Sequence, residues 1–251
     1  MPFNLTGKRA IITGGASGIG LATVHAFAEA GARVTILDLD AAKASAATSS
    51  ISAECIACDV TSPASVEAAF TQAAATGPID LLVNSAGIAH VGTLLSTTPE
   101  DFDRLYNVNV RGTFLCMQSA VQRMQTSGGA IVNLASIAAT TGLADRFAYS
   151  MTKGAVLSMT LSVARDYIAQ NIRCNCISPA RVHTPFVDGF VARTYPGHEE
   201  EMFAKLAASQ PIGRMGRPDE IAWLILYLCT DAASFLTGCD YPIDGGYFNL
   251  R

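Results

Sequence analysis

Short apolar runs alternate with longer helical patterns along almost the whole chain. Runs rich in aliphatic and β-branched residues predict seven strands, at residues 9–13, 33–37, 53–57, 81–84, 130–134, 173–177 and 240–243. The segments between them predict helices at residues 19–30, 41–49, 63–75, 99–125, 148–170 and 219–229. Strands that alternate with helices are joined by crossovers and lie parallel. The pattern therefore predicts an α/β fold, a doubly wound and mostly parallel seven-stranded sheet with helices on both faces.

Residues 182–217 interrupt this alternation. They carry several prolines and glycines around one short helical pattern at 199–208. A long irregular excursion inside a compact domain is usually functional, so we expect a lid over a substrate site. The rest of the chain shows no linker, repeat or low-complexity segment, and residues 1–251 are expected to form a single domain.

The composition supports a buried sheet and excludes some partners. Of the 251 residues, 50% are hydrophobic and 15% are charged, which suits a parallel sheet covered on both faces. A net charge of −4 gives no general attraction to nucleic acid or to an acidic membrane. The first residues lack a signal-peptide pattern, and no apolar stretch reaches the ~18 residues that span a bilayer. We therefore expect a cytoplasmic protein.

Two of the seven cysteines form a C-x-x-C pattern. Cys55 and Cys58 fall in a segment that reads as a strand, where residues three apart point to opposite faces. No second C-x-x-C or histidine pair completes a metal site. We therefore expect no bound metal and reduced, buried thiols, with a redox pair or half a metal site as the alternatives.

The first predicted strand runs into a glycine-rich turn, Thr13-Gly-Gly-Ala-Ser-Gly-Ile-Gly20, which a helix follows. Such a turn lets the backbone approach a pyrophosphate, whose charge the helix N-terminus favours; the residues expected to bind it are Gly14, Ser17, Gly18, Ile19 and Gly20. A purely structural turn is the alternative, but Asp38 at the end of the second strand completes a Rossmann dinucleotide pattern. Its carboxylate can bind ribose hydroxyls and would repel a 2′-phosphate. Since no Arg or Lys lies in the turn or directly after Asp38, we predict NAD rather than NADP as the cofactor.

Tyr149 and Lys153 are four residues apart on a predicted helix, so they share one face. A free tyrosine has a pKa of ~10, but a nearby ammonium and a positive nicotinamide ring would favour the phenolate. Ser136 follows the fifth strand at the carboxyl edge of the sheet, where its hydroxyl can hold a reacting oxygen. A Y-x-x-x-K pattern alone is common by chance, but in this context it predicts a base for oxidising a secondary alcohol.

These motifs, in this order, resemble those of the short-chain dehydrogenase/reductase family over nearly the full length of the chain. The matching segments are Thr13–Gly20, Asp59-Val60, Asn84-Ser-Ala-Gly87, Asn109, Ser136, Tyr149 with Lys153, Pro179 with Thr184-Pro185, and Asp244-Gly-Gly246. The resemblance implies an NAD-dependent dehydrogenase that forms a homotetramer, with all of residues 1–251 serving as the dinucleotide-binding and catalytic domain. Two positions depart from the family pattern: Ser85 lies within the Asn-Ala-Gly motif, and Ala180 replaces the usual glycine after Pro179.

The resemblance also implies roles for individual residues. The catalytic roles are those of a general base (Tyr149), a ribose ligand that lowers the tyrosine pKa (Lys153), a substrate-orienting hydroxyl (Ser136) and an amide that holds a water in a proton relay (Asn109). The nucleotide contacts are adenine contacts by Asp59 and Val60, a channel lined by Asn84, Ala86 and Gly87, and carboxamide binding after Pro179 by Val182 and Thr184.

Four cationic or titratable residues stand where this fold turns toward the substrate: Arg146, Arg181, His183 and His90. Two arginines converging on one pocket suit a carboxylate, which guanidinium binds bidentately, whereas solvated or interface charges are the alternative. We therefore expect a hydroxy acid rather than a steroid or a neutral polyol as the substrate.

Residues 178–190, 195–198 and 210–216 are similar to those of the L-2-keto-3-deoxyfuconate 4-dehydrogenases of bacterial L-fucose and sugar-acid breakdown. Such enzymes oxidise the C4 hydroxyl of a 2-keto-3-deoxy sugar acid to the 2,4-diketo acid. Two alternatives stay open: a dehydrogenase of a short hydroxy acid such as 3-hydroxybutyrate, and a non-catalytic redox sensor that binds NAD(H).

Overall fold

A computed structural model describes residues 3–250 and contains the predicted doubly wound sheet. Seven strands pair in parallel in the order β3-β2-β1-β4-β5-β6-β7. Their bounds are β1 Arg9–Thr13, β2 Arg33–Asp38, β3 Ala53–Ala57, β4 Leu81–Asn84, β5 Gly129–Leu134, β6 Ile172–Pro179 and β7 Asp240–Ile243. All seven predicted strands are present, and their ends differ from the prediction by at most two residues.

Nine α-helices accompany the sheet in the described part of the chain. They are α1 Gly18–Glu29, α2 Ala41–Ala47, α3 Pro63–Ala74, α4 Pro99–Leu105, α5 Thr113–Met124, α6 Phe147–Asp166, α7 Pro185–Thr194, α8 Glu199–Ala208 and α9 Pro218–Cys229. Short 3₁₀ turns lie at Ile137–Ala139, Ile168–Gln170 and Asp231–Ala233. In residues 3–250 no helix is long and apolar enough to cross a membrane.

Two features of the helices differ from the sequence prediction. The predicted helix 99–125 is continuous, but its middle, Tyr106–Gly112, is a π-helical turn between α4 and α5. The lid contains α7 in addition to the predicted helix at 199–208. Thr184 begins α7 as its N-cap, accepting a hydrogen bond from the Val187 N–H, and Pro185 occupies the first turn, where its missing N–H costs nothing.

The core fills both faces of the sheet. Neighbouring β1 residues Ile11 and Ile12 point to opposite faces and belong to separate buried clusters. Phe70 of α3 joins the first cluster, while Phe27 of α1 and Ile225 of α9 join the second. Because helices cover both faces of the inner strands, β2, β1, β4, β5 and β6 read as largely apolar runs, and this explains why the sequence predicted them well.

The order in which strands join the sheet reverses at β1, which pairs with β2 on one side and with β4 on the other. Helices that follow these two strands pack on opposite faces, so a crevice opens at the carboxyl ends of β1 and β4. Open α/β sheets bind their ligands at such a switch point.

Candidate active site

A cleft of about 500 Å³ occupies this switch point. The predicted site residues that line it are Gly14, Ser17, Gly18, Ile19, Gly20, Asp38, Asp59, Val60, Ala86, Gly87, Ser136, Arg146, Tyr149, Lys153, Pro179, Arg181, Val182 and Thr184. Phe186 and Val187 of the unpredicted helix α7 also line it. The Thr184-Pro185 pair was the sequence signal that could have located this wall, because it is a helix-start pattern.

The glycine turn has the shape that a pyrophosphate requires. Gly14 has a φ of +68°, and a Cβ atom there would lie 2.8 Å from the Cα atom of Ala86. The Thr13 hydroxyl fixes the facing turn, since it accepts hydrogen bonds from the N–H groups of Ser85 and Ala86, both at 3.1 Å. A side chain at position 14 would fill the cradle, so the residues present fit a dinucleotide whose phosphates approach the backbone and the N-terminus of α1.

Asp38 closes one end of the cleft. Its Oδ2 accepts a hydrogen bond from the Ala16 N–H at 3.0 Å, and its Oδ1 accepts one from the Asp40 N–H at 3.2 Å. These bonds hold the carboxylate where β2 meets the glycine turn. Among the described residues that line the cleft, the cationic side chains are Arg146, Lys153 and Arg181, all at the opposite end.

Next to Asp38, the turn after β3 is shaped by a second acid. Asp59 Oδ1 accepts hydrogen bonds from the N–H of Thr61 at 2.9 Å and from its hydroxyl at 2.8 Å. Val60 is buried and lines the cleft beside them. An apolar wall with a polar edge suits a planar base such as adenine.

The three predicted reacting side chains meet at the other end of the cleft. Tyr149 and Lys153 lie on α6, with the lysine Nζ 5.7 Å from the centroid of the tyrosine ring. Ser136 begins the 3₁₀ turn after β5, where its hydroxyl accepts a hydrogen bond from the Ala138 N–H at 3.2 Å and also hydrogen-bonds the Tyr149 phenol. Lys153 Nζ donates to the Leu134 carbonyl at 2.6 Å. The structure thus brings together the side chains predicted to serve as base, as cation and as substrate-holding hydroxyl.

Burial shifts both titrating groups in this cluster. It lowers the pKa of Lys153 from 10.5 to about 8. It raises the pKa of Tyr149, against the lowering effects of the Ser136 hydrogen bond and of the charges of Arg146 and Arg181. The charges of Arg146 and Arg181 thus lower the pKa of the phenol, and the lowering expected from Lys153 stays a prediction.

Two of the predicted residues, Asn109 and Asn84, lie behind the cleft rather than on its wall. Asn109 sits in the π-helical turn, where its Oδ1 accepts a hydrogen bond from the Ile88 N–H at 2.9 Å. Its Nδ2 donates to the Ile88 carbonyl at 2.8 Å and to the Thr152 hydroxyl at 3.1 Å. Asn84 is buried and donates to Asn133 Oδ1 at 2.8 Å. Asn109 thus holds the turn after β4, and Asn84 joins the end of β4 to β5, while the water-holding role of Asn109 and the channel-lining role of Asn84 stay predictions.

Arg146 and Arg181 face the reacting end of the cleft without a carboxylate partner. Arg146 Nη1 donates only to main-chain carbonyls, those of His90 at 3.4 Å and Asp145 at 3.2 Å. Within residues 3–250, no carboxylate oxygen lies within 4.0 Å of either guanidinium. Burial and the charge of Arg181 lower the pKa of Arg146, against smaller raising effects of Tyr149, Asp145 and Tyr195, so the two cations repel each other across a partly dry space.

The two predicted histidines have other partners. His183 Nε2 lies 2.8 Å from Asp188 Oδ1 of α7, and its imidazole packs at a tilt of 47° against the Phe203 ring of α8, with the ring centroids 5.2 Å apart. His90 Nδ1 lies 3.8 Å from Asp101 Oδ1 of α4. Neither side chain lines the cleft. His183 therefore joins the two helices of the lid, and His90 contributes to the cleft through the carbonyl that holds Arg146.

Known proteins resemble this chain over its whole length. A family model described as enoyl-(acyl carrier protein) reductase matches residues 14–248. A 2-keto-3-deoxy-L-fuconate dehydrogenase of Xanthomonas campestris is 38% identical over 98% of this chain and 81% of its own length. A D-threitol dehydrogenase of Mycolicibacterium smegmatis is 40% identical over 98% of this chain and 94% of its own.

Solved structures agree with these relatives. A short-chain type dehydrogenase/reductase from Mycobacterium marinum superposes with a TM-score of 0.91 at 35% identity, covering 99% of this chain and 98% of that one. An aldohexose dehydrogenase from Thermoplasma acidophilum gives a TM-score of 0.90 at 30% identity, covering 98% and 96%. The relatives named here as dehydrogenases act on different substrates.

Proposed function

We propose a function that starts from the family of the chain, which belongs to the short-chain dehydrogenases/reductases and is a nicotinamide-dependent oxidoreductase. The proposed reaction is the oxidation, with NAD, of a hydroxyl of a small sugar-derived acid. The proposed substrate is L-2-keto-3-deoxyfuconate, whose C4 hydroxyl would become the ketone of a 2,4-diketo acid. The Xanthomonas relative, named a 2-keto-3-deoxy-L-fuconate dehydrogenase, supports this choice.

The unpaired arginine pair is the observation that carries the substrate class. Two repelling guanidiniums in a partly desolvated cleft are unfavourable until an anion joins them. A carboxylate bound between Arg146 and Arg181 would relieve that repulsion and make charge-assisted hydrogen bonds. A neutral polyol would leave both charges unpaired, so the arginines favour an acid over a substrate such as the D-threitol of the Mycolicibacterium relative.

The reacting end can then remove a proton at one defined oxygen. Ser136 holds the substrate hydroxyl, and the Tyr149 phenolate accepts its proton. Lys153, fixed by the Leu134 carbonyl, lies beside the tyrosine ring, where it would bind the nicotinamide ribose. The nicotinamide ring, when bound, supplies the acceptor for the hydride that leaves the carbon bearing this hydroxyl.

The charge distribution along the cleft supports NAD over NADP. The Asp38 carboxylate would accept hydrogen bonds from ribose hydroxyls, and no cationic side chain lines the cleft at that end in residues 3–250. A 2′-phosphate there would meet a fixed negative charge without compensation.

We also propose a homotetramer. Several large apolar side chains are exposed on the π-helical turn, on α5 and α6 and on α9: Tyr106, Phe114, Phe147, Leu161 and Trp223. Exposed apolar surface on long helices is typical of subunit interfaces.

Two other functions are separated by one experiment. A 3-hydroxybutyrate-type dehydrogenase would use the same arginines, and a redox sensor would bind NAD(H) without turnover. The purified protein is mixed with NAD and a panel of 2-keto-3-deoxy sugar acids, short hydroxy acids and neutral polyols, and NADH absorbance is followed. The proposal expects the highest kcat/KM for L-2-keto-3-deoxyfuconate; faster turnover of 3-hydroxybutyrate or of a polyol would replace it, and NADH binding without turnover would indicate the sensor.

A further inference from the structure

The loop that joins the lid to α9 is folded around one carboxylate. Glu220 Oε2 accepts hydrogen bonds from the Arg217 N–H and from Arg214 Nη1, both at 2.8 Å, and its Oε1 accepts one from Arg214 Nη2 at 2.7 Å. Arg214 Nη1 also donates to the Met215 carbonyl at 3.1 Å, which closes the loop. The Arg214 hydrogen bonds, followed by that of the Arg217 N–H, hold the pKa of Glu220 at about 2. The carboxylate is therefore ionised under working conditions.

The tip of this loop is paired to the wall of the cleft. The Gly216 N–H donates to the Arg181 carbonyl at 2.8 Å, and the Gly216 carbonyl accepts from the His183 N–H at 2.9 Å. These two bonds form a parallel bridge between Gly216 and Val182, beyond the end of β6 at Pro179. Val182 is buried and lines the cleft, so the bridge fixes a segment of the cleft wall.

We infer that Glu220 is a positioning residue, which holds Gly216 so that residues 181–183 keep the nicotinamide and the substrate acid in register. The inference rests on the proposed function, which places Val182 against the nicotinamide and Arg181 against the acid. A simple helix cap needs only the bond from the Arg217 N–H. The bidentate pair with Arg214 goes further, because it ties both ends of the loop to one side chain and so restricts Gly216.

The test compares two ligands that differ only at the nicotinamide end. NADH reaches Val182 and ADP-ribose, which lacks the nicotinamide, does not. In Glu220→Gln the dissociation constant of NADH should rise about tenfold, the loss expected for one weakened contact, while that of ADP-ribose stays within about twofold. Asp219→Asn is the matched control, because this first-turn acid of α9 pairs with the Arg217 side chain and, within residues 3–250, makes no hydrogen bond to Arg214 or Gly216.

A second variant keeps the test decisive if Glu220→Gln fails to fold. Arg214 is about half exposed, so Arg214→Ala removes the same clamp with little effect on the core, and it should give the same split between NADH and ADP-ribose. Equal weakening of both ligands, or variants that bind NADH as Asp219→Asn does, would overturn the positioning role. A wild-type protein that binds ADP-ribose but not NADH would instead refute the proposed function.

Discussion

Removal of the Arg146 side chain tests the acid-binding end most directly. The side chain makes two long hydrogen bonds to main-chain carbonyls and no ion pair within residues 3–250, so the fold loses little when it is removed. A desolvated charge-assisted bond to a carboxylate is worth about 1.5–3 kcal/mol, which corresponds to about 10- to 150-fold in kcat/KM. We expect Arg146→Ala to lower kcat/KM for the acid by that factor, with the dissociation constant of NAD nearly unchanged.

The same substitution has a second, independent consequence for the base. The charge of Arg146 lowers the pKa of Tyr149, so its removal should raise that pKa. The acidic limb of the kcat/KM profile should therefore move to higher pH, even for a neutral alcohol that does not use the carboxylate site. A role confined to folding would leave this limb in place.

The assay measures kcat/KM for the acid and for its amide, from pH 6 to 10, in the wild type and in three variants. Arg181→Ala should resemble Arg146→Ala. Arg165→Ala is the control, because it removes an exposed arginine from the last turn of α6, the helix whose N-cap is Arg146, and it should match the wild type. The amide should be a poor substrate of the wild type. Above the acidic limb of the profile, its kcat/KM should be nearly the same in either cleft variant as in the wild type. If Arg146→Ala and Arg181→Ala both process the acid normally, the arginines are surface or interface charges and the sugar-acid proposal loses its physical support.

Four further predictions concern the base, the cofactor, the lysine and the assembly. Tyr149→Phe should reduce turnover by several orders of magnitude in a stopped assay while NADH still binds by fluorescence; activity within about tenfold of the wild type would remove the phenol from the mechanism. Replacement of Asp38 by alanine should narrow the preference for NAD over NADP in kcat/KM, since it removes a repulsive charge, and a wild type that already prefers NADP would contradict the assignment. Burial lowers the pKa of Lys153 to about 8, so between about pH 8 and 10.5 the unfolded chain binds more protons than the folded protein. The free energy of unfolding in urea of the cofactor-free protein should therefore rise with pH in this range relative to that of Lys153→Met. A difference between the two proteins that does not change with pH would refute the pKa shift. Sedimentation at micromolar concentration should give a mass near four times 26.3 kDa, and a monomer mass would exclude the tetramer.

The sheet and the nucleotide end of the cleft were predictable from sequence because each is built from consecutive residues. A strand buried on both faces reads as an apolar run, and the glycine turn positions its own backbone around a phosphate. The helix α7 was missed for a local reason, since Pro185 marks the first turn of a helix as readily as it ends one. The π-helical turn around Asn109 left no trace in the periodicity of residues 99–125, because one extra residue in a turn barely shifts an amphipathic pattern.

The substrate end was less predictable because it is built from side chains whose partners lie far along the chain. His90 and His183 are close in sequence to residues that line the cleft. Their imidazoles nevertheless lie off the cleft wall, beside the carboxylates of Asp101 and Asp188. The sequence placed Arg146 and Arg181 near the substrate on the same grounds as the histidines. They differ in the structure because, within residues 3–250, neither guanidinium forms an ion pair with a carboxylate. An arginine beside a carboxylate has its charge satisfied by the protein, whereas two arginines that face each other need an anion from outside. The missing counter-charge, which only the three-dimensional arrangement reveals, is thus the strongest physical reason to expect an acid as the substrate.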